Sequence, residues 1–69
     1  MVKFEEYLIE VKPLQLRDDA GWTTHFVIYK DSRSSIDVVK KVEMGNISAS
    51  ADQASQLGID EAKRLIRQL

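Results

Sequence analysis

The hydrophobic pattern of this 69-residue chain changes its period once, and no other feature constrains the fold as strongly. From Lys3 to about Met44, apolar and polar residues alternate, which is the period of a β-strand. From Ser50 to Leu69, the apolar residues recur at helical spacing. We therefore expect an α+β fold in a single domain of residues 1–69, namely a three-stranded antiparallel β-meander in order 1-2-3 with one C-terminal amphipathic helix packed on one face.

The predicted strands cover residues 5–16, 22–30 and 36–44, with turns at 18–21 and 31–35 where Asp, Ser and Gly cluster. Pro13 lies inside the first predicted strand. Because proline donates no backbone hydrogen bond, it indicates either an edge strand or a bulge at this point.

The expected hairpin registers give one common inner face. A loop at residues 18–21 sets Val11 opposite Ile28, and a loop centred on Arg33 sets Ile28 opposite Val38. Both hairpins then direct their apolar rows to the same side of the sheet. The predicted core beneath the helix consists of Tyr7, Ile9, Val11, Phe26, Ile28, Val38 and Val42.

The helix is predicted to begin at a capping box, in which the Ser50 hydroxyl accepts from the Gln53 amide. Gly58 is the weak point, since glycine costs about 1 kcal/mol against alanine inside a helix. Either Gly58 lets a continuous helix lie close to the sheet, which we favour, or Asp60 caps a second helix after a break. The predicted buried stripe contains Ala51, Ala54, Leu57, Gly58, Ile59, Ala62, Leu65, Ile66 and Leu69, with Lys63, Arg64 and Arg67 opposite.

The chain contains few groups that serve in catalysis or metal binding. His25 is the only histidine, is expected mid-strand on the outer face opposite Lys41, and has no cysteine or second imidazole to complete a zinc site. Asp18 and Asp19 lack the spacing of a calcium loop, so they are read as a solvated turn. We expect no enzyme activity, no catalytic residue, no metal and no cofactor.

The composition favours a cytoplasmic protein that is not processed. There is no cysteine for a disulfide framework, no apolar run long enough to cross a membrane, and no basic region followed by an apolar stretch at the N-terminus. A net charge of −1 argues against a generally polybasic nucleic-acid binder.

The face of the sheet turned away from the helix, called the outer face below, is more apolar than solvent contact requires. Val27 and Val39 are expected to pair directly there, with Leu8 and Tyr29 nearby. Because one helix covers only one face, such a patch indicates a protein partner or a homodimer. Our leading hypothesis is therefore a non-catalytic interaction or regulatory module that uses Leu8, Val27, Tyr29 and Val39.

The alternative hypothesis is a nucleic-acid-binding module centred on the second hairpin. Lys30, Arg33, Lys40 and Lys41 lie around that hairpin, where a sheet presents basic side chains to a DNA groove. Acidic residues are interleaved with them and cancel much of the local potential.

The layout resembles small stand-alone bacterial proteins in which a short antiparallel sheet is followed by one amphipathic helix. The residues that carry this likeness are 7–13 (Tyr-Leu-Ile-Glu-Val-Lys-Pro), Gly21-Trp22, Ala54, Leu57-Gly58 and Ala62. Many such families have no assigned activity, so the resemblance implies a fold and very little function.

A weaker resemblance is to the sheet-type DNA-binding domains at the N-termini of phage integrases. It rests on Gly21-Trp22, Phe26, Ile28-Tyr29 and the Arg33 hairpin, and it implies contact between the sheet and a major groove. The acidic residues of the third predicted strand depart from that pattern. Double-stranded-RNA-binding domains also end in a helix on three strands, but their first helix and the lysine cluster of their second helix are missing here.

Overall fold

The computed structural model describes residues 1–69 and has the expected α+β class, with an antiparallel sheet and one C-terminal helix. The sheet has four strands rather than three, in the order β1-β2-β3-β4, and every neighbouring pair is antiparallel. The elements are β1 (Val2–Phe4), β2 (Tyr7–Gln15), a short 3-10 turn (Arg17–Asp19), β3 (Trp22–Asp31), β4 (Ile36–Ser48) and α1 (Ala51–Ile66).

The additional strand β1 precedes the first predicted strand, which was expected to begin at Glu5. The chain reverses between Phe4 and Tyr7, with Glu5 in the left-handed region at φ 56°. Two-residue turns are normally marked by Gly, Asn or Asp, so a pair of glutamates gave no turn signal. Because β1 pairs with β2 only as far as Ile9, Pro13 lies on a free edge, and the register there is regular. The edge interpretation of Pro13 is therefore the correct one.

The β2–β3 hairpin has the predicted faces but a different register. Its loop covers residues 16–21 rather than 18–21, and Val11 lies opposite Phe26 instead of Ile28. A shift of two residues keeps every side chain on its predicted face, because the side-chain period of a strand is two. The loop closes through Gly21, whose carbonyl accepts from the Leu16 amide at 2.8 Å.

The turn of the β3–β4 hairpin is centred between Arg33 and Ser34, whereas the sequence predicted a centre at Arg33. Ser32 and Ser35 exchange backbone hydrogen bonds at 3.0 and 3.4 Å, so Arg33 and Ser34 form the turn. Val38 consequently lies opposite Tyr29 rather than Ile28, which places it on the outer face. The prediction that Val38 belongs to the core was therefore wrong.

A β-bulge at Val39 restores the predicted faces further along β4. Val39 has no partner, and the next residue, Lys40, lies opposite Ile28. One extra residue changes the alternation of a strand. Val42 and Met44 therefore face the helix, as the sequence predicted, and both pack against the core.

The core lies between α1 and the inner face of the sheet. Its buried residues are Ile9, Phe26, Ile28, Ala62 and Ile66, and the half-buried residues around them are Val2, Phe4, Tyr7, Val11, Val42, Met44 and Leu65. Val2 and Phe4 of the unpredicted strand β1 add apolar surface to this core, to which Val38 does not belong.

The helix is continuous through Gly58 and lies very close to the sheet. A Cβ atom at Gly58 would be 2.6 Å from Thr24 Cγ2, so only glycine allows this approach. The buried Thr24 hydroxyl donates to the Ala54 carbonyl at 2.5 Å and fixes the contact. The cap is formed as predicted, with the Ser50 hydroxyl accepting from the Gln53 amide.

The C-terminal end of α1 differs from the predicted stripe. The helix ends at Ile66, and Leu69 beyond it is exposed. Lys63 and Arg67, predicted on the solvated side, hold their charged groups 5.3 Å from the centroid of the Phe4 ring. These cation–π contacts join the last turn of the helix to β1.

Candidate interaction surface

The outer face contains a row of apolar side chains that crosses three strands. The register aligns Leu8 of β2, Tyr29 of β3 and Val38 of β4. Val27 lies two residues from Tyr29 on β3 and therefore shares this face. Three of the four predicted interaction residues, namely Leu8, Val27 and Tyr29, are thus neighbours.

The predicted pairing of Val27 with Val39 does not occur. Val27 lies opposite Lys41, whereas Val39 is the unpaired bulge residue and is 39% exposed. Its place beside Tyr29 is taken by Val38, which is 52% exposed, and Ile36 follows at 56%. Sequence reasoning missed Ile36 and Val38 as surface residues because it carried one alternation through the whole strand.

The sequence did contain a signal for this bulge. Residues 38–41 are Val-Val-Lys-Lys. A regular strand would place one valine and one lysine on each face, so apolar and charged residues do not separate between the two faces here. A break in period between residues 38 and 41 would have been the better interpretation.

We define the outer patch as Leu8, Val27, Tyr29, Ile36 and Val38. Its polar surroundings include paired charges and the unpaired Lys41, which lies opposite Val27. The Tyr29 hydroxyl donates to Glu10 at 3.4 Å, and Glu10 also lies 3.6 Å from the Lys12 ammonium. The patch is thus an apolar area with a tyrosine at its centre and charged residues at its margin.

The basic residues of the alternative hypothesis lie on a projecting hairpin, but they do not share a face. Residues 30–41 are all exposed, and Arg33 is at the tip. Lys30 and Lys40 lie on the same face of the sheet as Ile28, whereas Lys41 lies opposite Val27 on the outer face. In addition, Lys30 is 3.9 Å from Glu6. The four cations are therefore divided between the two faces and the tip of the hairpin, and do not form one basic surface.

His25, the single histidine of the chain, does not lie where the sequence placed it. His25 lies between Lys12 and Glu43 on the outer face, not opposite Lys41 as predicted. No three histidine, aspartate or glutamate side chains come together in a way that would hold a metal ion.

A shallow groove lies between β4 and α1. It has a volume of about 310 Å³ and is lined by Met44, Asn46, Leu57, Asp60, Glu61 and Arg64. Its charged groups are already engaged, since the Arg64 guanidinium bonds to Glu61 and Gln56 donates to Asp60. The hydrogen bond from Arg64 lowers the pKa of Glu61 and is the largest influence on it; desolvation opposes this, and the attraction between the two charges adds a smaller lowering effect.

Helix α1 is neither long enough nor apolar enough to cross a membrane. Comparisons with protein-family models, with curated proteins and with solved structures found no match to this chain.

Proposed function

We propose that this chain is a non-catalytic protein-interaction module that binds its partner through the outer patch. The observation that carries the proposal is the row of Leu8, Tyr29 and Val38 across three strands, with Val38 and Ile36 largely exposed. Contiguous apolar surface on a small domain is typical of interaction sites.

The composition of the outer patch favours a protein partner. Tyrosine is enriched at the centres of protein interfaces because it supplies a large contact area together with one hydrogen-bonding group. Tyr29 is flanked by aliphatic side chains, and its hydroxyl reaches Glu10 at the edge of the patch. An apolar centre with a polar rim matches the usual anatomy of such interfaces.

A nucleic-acid partner is the weaker alternative. Phosphate binding requires several cations along one surface, and here Lys40 and Lys41 lie on opposite faces of β4. Asp31 and Asp37 further reduce the potential of the hairpin. For the compartment, we propose the cytoplasm, because a chain without cysteine has no disulfide that would require an oxidising environment.

Chemical-shift mapping of the isotope-labelled protein in cell extract tests the proposal. We expect perturbations at Leu8, Val27, Tyr29 and Val38 that disappear in Val38→Lys. The matched control is Leu14→Lys, because Leu14 is a 45% exposed aliphatic residue on the same face at the far end of β2. This control should leave the perturbations unchanged.

The same spectra distinguish the two hypotheses. Perturbations confined to α1, or unaffected by Val38→Lys, would contradict the outer patch as the binding surface. Titration with random duplex DNA at low salt should leave the shifts of Lys30, Arg33 and Lys41 unchanged. Salt-sensitive changes at these residues that are lost in Arg33→Glu would instead support the alternative.

A further inference from the structure

The free edge of β4 is a second surface with recognisable chemistry. β4 is the last strand in the sheet order, so its outer backbone groups have no partner strand. An open edge of this kind is a template for another strand. Two irregularities, at Val39 and between Met44 and Ser48, leave residues 40–44 as the regular part of this edge.

We propose that residues 40–44 pair antiparallel with the same segment of a second copy of this chain, about a two-fold axis at Val42. In this register Lys41 lies opposite the partner subunit's Glu43, and Glu43 lies opposite the partner subunit's Lys41. Within one chain, Lys41 and Glu43 share the outer face, since they lie opposite Val27 and His25. Both intersubunit pairs therefore form on the same side of the joined sheet.

The charge pattern selects this register over its neighbours. An axis at Lys40 or Lys41 places lysine opposite lysine, and an axis at Glu43 places glutamate opposite glutamate. An axis at Met44 forms no charge pair, because Lys41 then faces Ile47. Among the axes within the regular segment 40–44, only the one at Val42 brings opposite charges together, and it does so twice. Like charges directly opposite each other destabilise a strand pair, whereas opposite charges stabilise it.

The paired edges would form one continuous sheet with both helices on the same side. Val42, which packs at the margin of each core, would meet the partner's Val42 beneath them. The pairing segment 40–44 contains none of the residues of the outer patch, so this inference does not rest on the proposed function. A dimer of this kind leaves Leu8, Tyr29 and Val38 uncovered.

Exchange of the two charges provides the test, with association measured by analytical ultracentrifugation over a range of concentrations. Lys41→Glu and Glu43→Lys each replace two attractive pairs by two repulsive ones. Each should raise the dimer dissociation constant about tenfold or more. Neither side chain forms an ion pair within the chain, so both variants should keep the circular dichroism spectrum of the folded protein.

A mixture of the two variants is the decisive measurement. In the mixed dimer, the chain with Lys41→Glu carries carboxylates at both positions, and these face the two ammonium groups of the chain with Glu43→Lys. Equimolar mixing should therefore restore association, and the double variant K41E/E43K should also dimerise. A wild-type chain that stays monomeric at millimolar concentration, or a mixture no stronger than its components, would overturn the inference. Loss of the dimer in Leu8→Lys would overturn it too, by assigning self-association to the outer patch, because Leu8 lies on β2, two strands away from this edge.

Discussion

Replacing Gly58 by alanine places two known effects in opposition. Alanine should stabilise the middle of a helix by about 1 kcal/mol relative to glycine. Here its Cβ would lie 2.6 Å from Thr24 Cγ2 and 3.4 Å from Val11 Cγ1, and the first of these distances is too short for any carbon pair. Overpacking a rigid core costs about 1–3 kcal/mol. We therefore expect Gly58→Ala to destabilise the fold by up to about 2 kcal/mol.

The clash is difficult to relieve because Thr24 is held in place. Its side chain is buried, and its hydroxyl donates to the Ala54 carbonyl, one turn before Gly58 on the same helix. Rotating the methyl group away would break that hydrogen bond, and lifting the helix would open the core. Thr24→Ser removes the methyl group and keeps the hydroxyl. In this background, Gly58→Ala should become neutral or stabilising.

Thermal and urea denaturation of the four proteins in this double-mutant cycle measure the coupling. A loss of 1 kcal/mol corresponds to a decrease in Tm of about 4–8 °C for a domain of this size. We expect a favourable coupling of about 1–3 kcal/mol between the two substitutions. Gly45→Ala is the matched control, because nothing lies within 4 Å of its Cβ position. The reasoning is refuted if Gly58→Ala stabilises as much as Gly45→Ala and its effect is the same in both backgrounds.

Three further predictions follow from backbone conformation and charge. Gly21→Ala should cost about 2 kcal/mol or more in a denaturation series, because Gly21 has φ +114° and an added Cβ would lie 2.7 Å from Ile47 Cγ2. A loss below about 0.5 kcal/mol would contradict this. Glu5→Gly should raise Tm, because the left-handed conformation at φ 56° costs a non-glycine residue about 1–2 kcal/mol. The greater conformational freedom of glycine in the unfolded chain cancels part of this gain. An unchanged or lower Tm would show that the turn is not strained. The hydrogen bond from Arg64 lowers the pKa of Glu61 below its ordinary 4.5. The ionised Glu61 carboxylate therefore stabilises the folded state fully above that pH, and this stabilisation is lost as the pH falls through the folded-state pKa. The stability difference between wild type and Glu61→Gln should shrink over that acidic range, and a difference independent of pH would exclude the pair as its source.

The parts of the fold that follow strict alternation could be predicted from the sequence. Phe26 and Ile28 face the helix as expected, because one period of two continues through β3 and fixes which face each residue takes. The partners of these residues were not predictable, since a shift of two residues changes the neighbours without changing the faces.

The errors occurred where the backbone departs from regular geometry. The reversal at Glu5 is not encoded by a turn-forming residue, so β1 was missed. The bulge at Val39 changes the alternation, so Val38 was assigned to the core and Val39 to the outer face opposite Val27. For the candidate site, Leu8 and Tyr29 were placed together correctly because both lie on strands that the bulge does not interrupt.

The extra residue at Val39 separates β4 into two independent alternations. The Arg33-Ser34 turn determines which face residues 36–38 take at the hairpin tip. Packing under α1 determines which face Val42 and Met44 take. A change in the tip therefore requires no compensating change beneath the helix. For the interaction module proposed above, this means that the residues of the tip can change the partner that is bound while the core sequence stays the same.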